Sequence, residues 1–464
     1  MALPDSRACW LVAASATLYI FFGTMLQRSE PIMYVGFMGM LKVNREKASW
    51  PPTVAIIMSQ LSGPLCGVLG LWVSDRVLLV AGALLCALPV MFCALSQSLG
   101  LVIFLYGVLH GLGLACAELL PFTVVARHFV HYRGAAIGMV FVGAATSGFV
   151  FPLITEALRK ALEFHTVLLI LGSLELMMLF GCIFVDRVPV SDGSVSTQPA
   201  SPAAEHTCAN SFHTSSLAKA CCADLPVIPK HPAENHQAGE TVLLLGAERK
   251  LTWRTLAGNA RSLASPAFLH AAVSRAVTIF VASSFVLTAV DFGTDVGLIG
   301  YEAVSLVTAV AVGDLLSRIG TGLLLDSKLL SGEALMMWSF ALQTASMVWT
   351  ALTKKYWVLL ATCFFTGLTS GSRVSTTTVM VTELFDHKLL PISLGVANMV
   401  GGLFCLARPP LIGHARDVVG SYGMLYMAFA VISGVFIVTW MVSMCWQRCG
   451  KSQRRGKEPM DQQA

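Results

Sequence analysis

Charge is what this chain has least of. Asp, Glu, Lys and Arg make up 12% of its 464 residues while hydrophobic residues make up 55%, against about 25% charged in ordinary soluble domains. With a mean hydropathy of +0.71, a soluble globule is excluded and the chain belongs in a bilayer. No phosphate-binding glycine loop, zinc-ligand motif or nucleophile with its base stands out, which argues against an enzyme. No Asn-x-Ser/Thr sequon occurs. None of the thirteen cysteines falls in a predicted outer loop, so no disulfide framework is implied. Cys445 and Cys449 sit at the inner membrane edge and read as helix-end cysteines ahead of palmitoylation sites. Cys208, His213, Cys221, Cys222 and His231 lack zinc spacing, so no metal and no cofactor is expected. The net charge of +5 lies mostly in one loop and the tail, which points to anionic lipid head groups and not to nucleic acid.

What the chain does have is apolar runs of membrane length. A span needs about 20 mostly apolar residues, and twelve are read near 9–38, 52–73, 77–96, 100–122, 133–153, 164–185, 266–290, 298–325, 332–352, 356–380, 391–413 and 421–446. The first is too long for a secretory signal and is kept as a true helix. The fold class is therefore an all-α membrane protein of twelve transmembrane helices in two six-helix halves. Residues 1–186 form the N-terminal half, 187–264 a central loop, 265–446 the C-terminal half and 447–464 a basic tail. The loop is rich in Ser, Pro, Ala and His until a basic, helix-like stretch from Leu243 to Leu263, read as an interfacial helix. Ser265 and Pro266 then read as an N-cap and a first-turn proline. Lys and Arg favour the side that carries both termini, through the central loop and the Arg448 to Lys457 tail, which makes that side cytoplasmic.

The two halves share end motifs. The second span ends Gly70-Leu-Trp-Val-Ser-Asp75-Arg76 and the eighth ends Gly322-Leu-Leu-Leu-Asp326-Ser-Lys328, while Pro152-Leu-Ile in the fifth is matched by Pro410-Leu-Ile in the eleventh. Repeats of this kind rock about a site between them. The entry to the fifth span reads Arg127-His-Phe129-Val-His-Tyr-Arg133-Gly-Ala-Ala136-Ile-Gly138 and continues through Gly143 to Gly148. Ser49-Trp50, Gly63-Pro64-Leu65-Cys66-Gly67 and Arg408-Pro409-Pro410-Leu411-Ile412-Gly413 add to it. On these motifs the chain resembles the major facilitator superfamily and, within it, the monocarboxylate transporter family. The likeness covers both halves but not the central loop and tail. The first-helix signature is eroded to Asp5-Ser-Arg-Ala-Cys-Trp10, which implies a divergent branch. Asp75, Arg76, Arg133, Gly138 and Gly143 are the structural or gating candidates, the glycines because small residues let membrane helices approach.

Function is sought among charges inside the spans, since each costs about 2.5–3.5 kcal/mol at a helix centre on insertion scales. Asp314 and Arg318 are four residues apart and so share a helix face. Attraction of about 4 kcal/mol at 4 Å in an effective dielectric of about 20 offsets much of their burial. The resemblance implies proton coupling for Asp314 and carboxylate binding for Arg318. Arg28 stands where the resemblance implies a lysine in proton-coupled relatives; a guanidinium stays protonated but presents two parallel donors to a carboxylate. Arg373 is a third candidate for substrate contact. Glu30 matches nothing in the family pattern, and Glu118, Arg275, Glu302, Glu383 and Arg408 read as polar contacts at helix ends or between helices. His110 and His270 read as packing residues. The expected function is alternating-access transport of a small organic acid with a proton, in the plasma membrane. Two alternatives are proton-independent passage of amino-acid-like or larger organic acids, and a receptor-like protein that moves nothing. Some relatives use a single-pass immunoglobulin-like chaperone as a partner for surface delivery; no feature of this sequence establishes one.

Overall fold

The computed structural model describes residues 7–69, 73–129, 132–183, 265–326, 330–385 and 390–457. The Leu243 to Leu263 stretch and the zinc-spacing candidates of the central loop lie outside the described residues. Among the described residues the helical segments fall into twelve stretches. The first, α1, is three pieces, Arg7–Gly23, Met25–Arg28 and Glu30–Leu41. Then come α2 (Arg45–Leu69), α3 (Asp75–Cys93), α4 (Leu99–Val102, a π-helical Ile103–His110 and Gly111–His128), α5 (Arg133–Ala161) and α6 (Phe164–Glu175 with Met178–Gly181). The second group is α7 (Pro266–Asp295), α8 (Tyr301–Asp326), α9 (Gly332–Leu352) and α10 (Tyr356–Leu384). It ends with α11 (Leu390–Phe404, a 3-10 turn Cys405–Ala407, Arg408–Gly413 and a π-helical His414–Val418) and α12 (Gly423–Lys457).

Eight of the stretches hold helices long and apolar enough to cross a membrane. The others are α1, α2, α9 and α10, and two causes can be read from them. Breaks at Thr24 and, ahead of Pro31, at Ser29 divide α1 into short pieces, and α9 and α10 carry a buried polar ladder. In that ladder Thr350 donates to Thr362 (2.9 Å) and Thr369 donates to Gln343 (2.7 Å). In lipid such groups must find partners inside the protein. Short connections make neighbouring helices antiparallel within each group, and the Arg45–Asp291 and Tyr34–Tyr422 contacts bring the α1–α2 turn to the same face as the α7–α8 and α11–α12 turns. Arg7 of α1 and the last turn of α12 therefore lie at the other face, here the terminal face. The turns at 42–44, 296–300 and 419–422 lie at the opposite, distal face.

Helix ends follow local chemistry. Ser265 accepts from the Phe268 N–H (3.4 Å) with Pro266 behind it, as the sequence pattern predicts. Ser74 and Ser331 cap α3 and α9 in the same way. Helix α5 runs eight residues beyond the 133–153 expectation, to Ala161. The reason is an ion-pair face: Arg159 makes two bonds of 2.9 Å to Glu156, and Lys160 approaches it at 3.6 Å.

Within lipid, association depends on van der Waals fit more than on solvent exclusion, and glycine sets the closest approaches. A Cβ at Gly313 of α8 would run into the backbone of Phe364 and Leu368, and one at Gly367 of α10 into that of Val310. A Cβ at Gly143 would meet the Thr17 carbonyl oxygen at 2.7 Å, so α5 lies directly on α1 there. Gly138 departs from the expectation: nothing lies within 4 Å of a Cβ built on it. It is five residues from Gly143, which turns it about 140° away on a helix. Gly143→Leu is expected to destabilise the detergent-purified protein by at least the 1–3 kcal/mol of an overpacked core, and Gly138→Leu to leave it nearly unchanged. Equal thermal unfolding of the two variants would refute this packing.

Candidate functional site

Between the two helix groups lies a cavity of about 270 Å³. Its polar lining is Gln27, Arg28 and Glu30 of α1, Ser59 and Gln60 of α2, Glu118 of α4, Thr278 and Ser283 of α7, Asp314 and Arg318 of α8, and Ser370 of α10. Ile56, Ile279, Val286, Val307 and Val310 supply an apolar wall. On an unbroken helix Arg28 and Glu30 would point about 200° apart. Here the helix is interrupted at Ser29, and Pro31 has no N–H to offer the Gln27 carbonyl, so both residues line one cavity.

Asp314 is the centre of charge. Its Oδ2 accepts from Arg318 Nε at 3.1 Å and lies 3.9 Å from Arg28 Nη1, so one carboxylate stands between guanidiniums from the two helix groups. The i,i+4 pair is the one its spacing requires; the approach of Arg28 is a tertiary fact. Gly148 of α5 makes room for it, with Ala311 at 3.2 Å and the Arg28 Cδ at 3.5 Å from where its Cβ would be. The Arg318 guanidinium also sits over the Phe141 ring of α5, 5.7 Å from its centroid. Arg28 and Arg318 retain 30% and 31% side-chain exposure, which leaves both within reach of a solute.

Arg373 is not part of this cluster. It is 1% exposed, donates to Gln343 Oε1 (2.9 Å) and the Ser339 carbonyl (3.4 Å), and lies over Phe340. These contacts turn it toward α9 and away from the cavity. Asp75 forms an ion pair with Arg127 at the terminal face (2.6 Å), beside an exposed Arg76. The side chain of Arg133 lies outside the described residues.

Glu118, read from the sequence as a polar contact at a helix end or between helices, accepts from Gln27 Nε2 (2.7 Å) and Ser59 Oγ (2.9 Å), and it also lines the cavity. Its signal was present, an ionisable residue in mid-span. Arg275 is also held by polar contacts, donating to Asn398 Oδ1 (2.7 Å) and the Val374 carbonyl (3.2 Å).

On the distal side of the cavity the two helix groups are joined through Asp291. Arg45 donates to Asp291 Oδ2 (2.7 Å), Tyr422 donates to the same oxygen (2.5 Å), and Tyr34 lies 3.4 Å from Tyr422. The Glu46 N–H reaches Asp417 (3.4 Å), and Lys160 stands 4.3 Å from the centroid of the Tyr301 ring. These contacts tie the first helix group to the second. Asp291→Ala removes the acceptor that Arg45 and Tyr422 share, and the distal end is expected to open more often. A cysteine placed at Ser283 should then react several-fold faster with a membrane-impermeant thiol reagent applied from the distal face. An unchanged rate would show that the cluster does not limit access from that face.

The family model for the Major Facilitator Superfamily matches residues 10–327. Among curated proteins the chain is similar to monocarboxylate transporter 12 of Homo sapiens, 21% identical over 427 residues, covering 91% of this chain and 78% of that protein. It is 22% identical to monocarboxylate transporter 13 of Rattus norvegicus over 446 residues, covering 94% and 88%. Monocarboxylate transporter 2 of Homo sapiens is 22% identical over 440 residues, covering 92% and 84%.

Proposed function

The chain belongs to the major facilitator superfamily, a family of transporters and not of enzymes, and we propose that it carries small monocarboxylates of the lactate and pyruvate kind by alternating access, together with a proton taken up at Asp314. The observation that carries this reading is Asp314 held between Arg28 and Arg318 in a cavity of about 270 Å³. With Asp314 ionised, the three groups sum to one positive charge, largely satisfied by the internal carboxylate. Protonation of Asp314 leaves two guanidiniums without their anion. A substrate carboxylate then takes its place, with the fork geometry that arginine offers. Proton and carboxylate together restore the starting charge, so the loaded and empty sites are electrically alike. The apolar wall of Ile56, Ile279, Val286, Val307 and Val310 suits the hydrocarbon tail of an organic acid.

The groups spanning 1–186 and 265–446 rock against each other in this proposal, with 447–464 as a tail. Both termini are cytoplasmic and the membrane is the plasma membrane, a reading supported by the Lys and Arg of the central loop and tail. The distal face is then extracellular, and the two helix groups are joined through Asp291 on that side. A single-pass chaperone partner is a further expectation from the likeness to monocarboxylate transporters. One observation favours proton-independent passage of an amino-acid-like acid instead: even with Asp314 ionised, two guanidiniums face one carboxylate, so an anion meets a net positive site.

Asp314→Asn copies the protonated carboxyl in charge but releases no proton. It is expected to keep substrate exchange across reconstituted vesicles and to lose accumulation driven by an inward proton gradient. Arg318→Ala should abolish both, since it removes a substrate donor and strands a partly buried carboxylate, a loss of up to several kcal/mol where burial is complete. Proton-driven accumulation of labelled lactate by Asp314→Asn would overturn the coupling role. If the parent protein accumulates no acid on a proton gradient yet exchanges it, the proton-independent reading stands in its place.

A further inference from the structure

A second ion pair stands at the cavity wall and takes no part in the exchange just described. Glu30 lines the cavity from α1, and its Oε1 accepts from Arg408 Nη2 of α11 at 2.7 Å. The same nitrogen donates to the carbonyl of Ser283 at 3.2 Å, and Ser283 is itself a lining residue. Arg408 is fully buried behind these two, with 0% exposure. Its Nε and Nη1 have no hydrogen-bond partner among the described residues. Five donors in a fixed fork are thus served by one carboxylate oxygen and one carbonyl.

Both charges are placed by proline. Glu30 precedes Pro31 at the break in α1. Arg408 precedes Pro409 and Pro410, which have no N–H for the carbonyls of Cys405 and Leu406, and the helix tightens to a 3-10 turn at Cys405–Ala407. The two side chains therefore meet at rigid kinks, where neither backbone relaxes easily away from the other.

We infer that Glu30 is a tethered carboxylate filling an anion-binding site on Arg408, and that by filling it Glu30 restricts the cavity to substrates with one carboxylate. The inference rests on the reading of the cavity as an organic-anion site. A dicarboxylate that placed one end between Arg28 and Arg318 would bring its second carboxylate toward a site already occupied by Glu30, and would meet like charge there. Shortening Glu30 to alanine exposes Arg408 to the cavity and leaves the space of a carboxylate in front of it.

The test compares the parent, Glu30→Ala and the double variant Glu30→Ala with Arg408→Ala, in detergent and in vesicles. Ligand-dependent thermal stabilisation is read with acetate, lactate and succinate, and uptake with labelled lactate and succinate. In Glu30→Ala the ratio of succinate to lactate affinity is expected to rise at least tenfold over the parent, and in the double variant to fall back. Should Glu30→Ala extract in aggregated form, millimolar acetate during extraction is expected to restore a monodisperse protein, because the free carboxylate takes the place of the lost one. A parent that takes succinate as readily as lactate overturns the inference. So does an unchanged ratio in a folded Glu30→Ala, or an aggregated Glu30→Ala that acetate does not restore. Acetate stabilisation gained by Glu30→Ala and absent from the double variant upholds the Arg408 site even where the parent binds and transports no lactate, an outcome that would sink the transport reading alone.

Discussion

Asp314 lies within bonding distance of one arginine and near a second, and much of the interior is arranged around that imbalance. A charge removed from water is costly unless another charge or a set of dipoles meets it. Here each interior charge meets its partner differently. Arg318 is paired on its own helix, Arg28 across the helix groups, Arg408 with Glu30 across the groups, and Arg373 with neutral acceptors on α9. The pairs that bridge the groups hold the two halves together at the cavity, yet under the proposed alternating access they are also the contacts that must change. A cavity of this kind is stable only while something anionic, internal or carried, satisfies its guanidiniums.

The distal cluster of Arg45, Asp291, Tyr34 and Tyr422 follows the same logic at the membrane edge. Asp291 Oδ2 accepts from both Arg45 and Tyr422, so one carboxylate joins α2, α7 and the start of α12. Asp291, Tyr34 and Tyr422 are buried and only Arg45 is partly exposed, so these bonds separate at little cost only if water enters as they break. The Asp314 cluster is the more exposed of the two, and its guanidiniums can exchange one anion for another without leaving the cavity.

Much of this was legible in the residues alone. Apolar length marked the spans, the Ser265-Pro266 pair marked the start of α7, and four-residue spacing put Asp314 beside Arg318. Interior partners were less legible, because Arg28 and Asp314 are 286 positions apart and no local period brings them together. Glu30 and Arg408 could each be seen as an interior charge, but only packing shows that they belong to each other. Arg373 stood as a third candidate for substrate contact, with no acid at helical spacing to mark its partner; the direction a side chain takes depends on which helix lies against it, and here α9 supplies Gln343. Gly138 and Gly143 were equally small, and only the rotation of α5 separates them.

The separation between Glu30 and Arg408, 378 positions along the chain, has a consequence for synthesis. At about 5–20 residues per second, α1 leaves the ribosome roughly 20–75 s before α11 exists. During that interval the nascent first helix carries Arg28 and Glu30 without the partners they have in the finished protein. The breaks between its pieces make it poorly suited to settling alone in hydrocarbon, so it should wait at the edge of the insertion channel, or against α5, until the second group arrives. Assembly of this chain is then completed late, and a ribosome stalled before α11 would release a product whose first helix has never been properly seated.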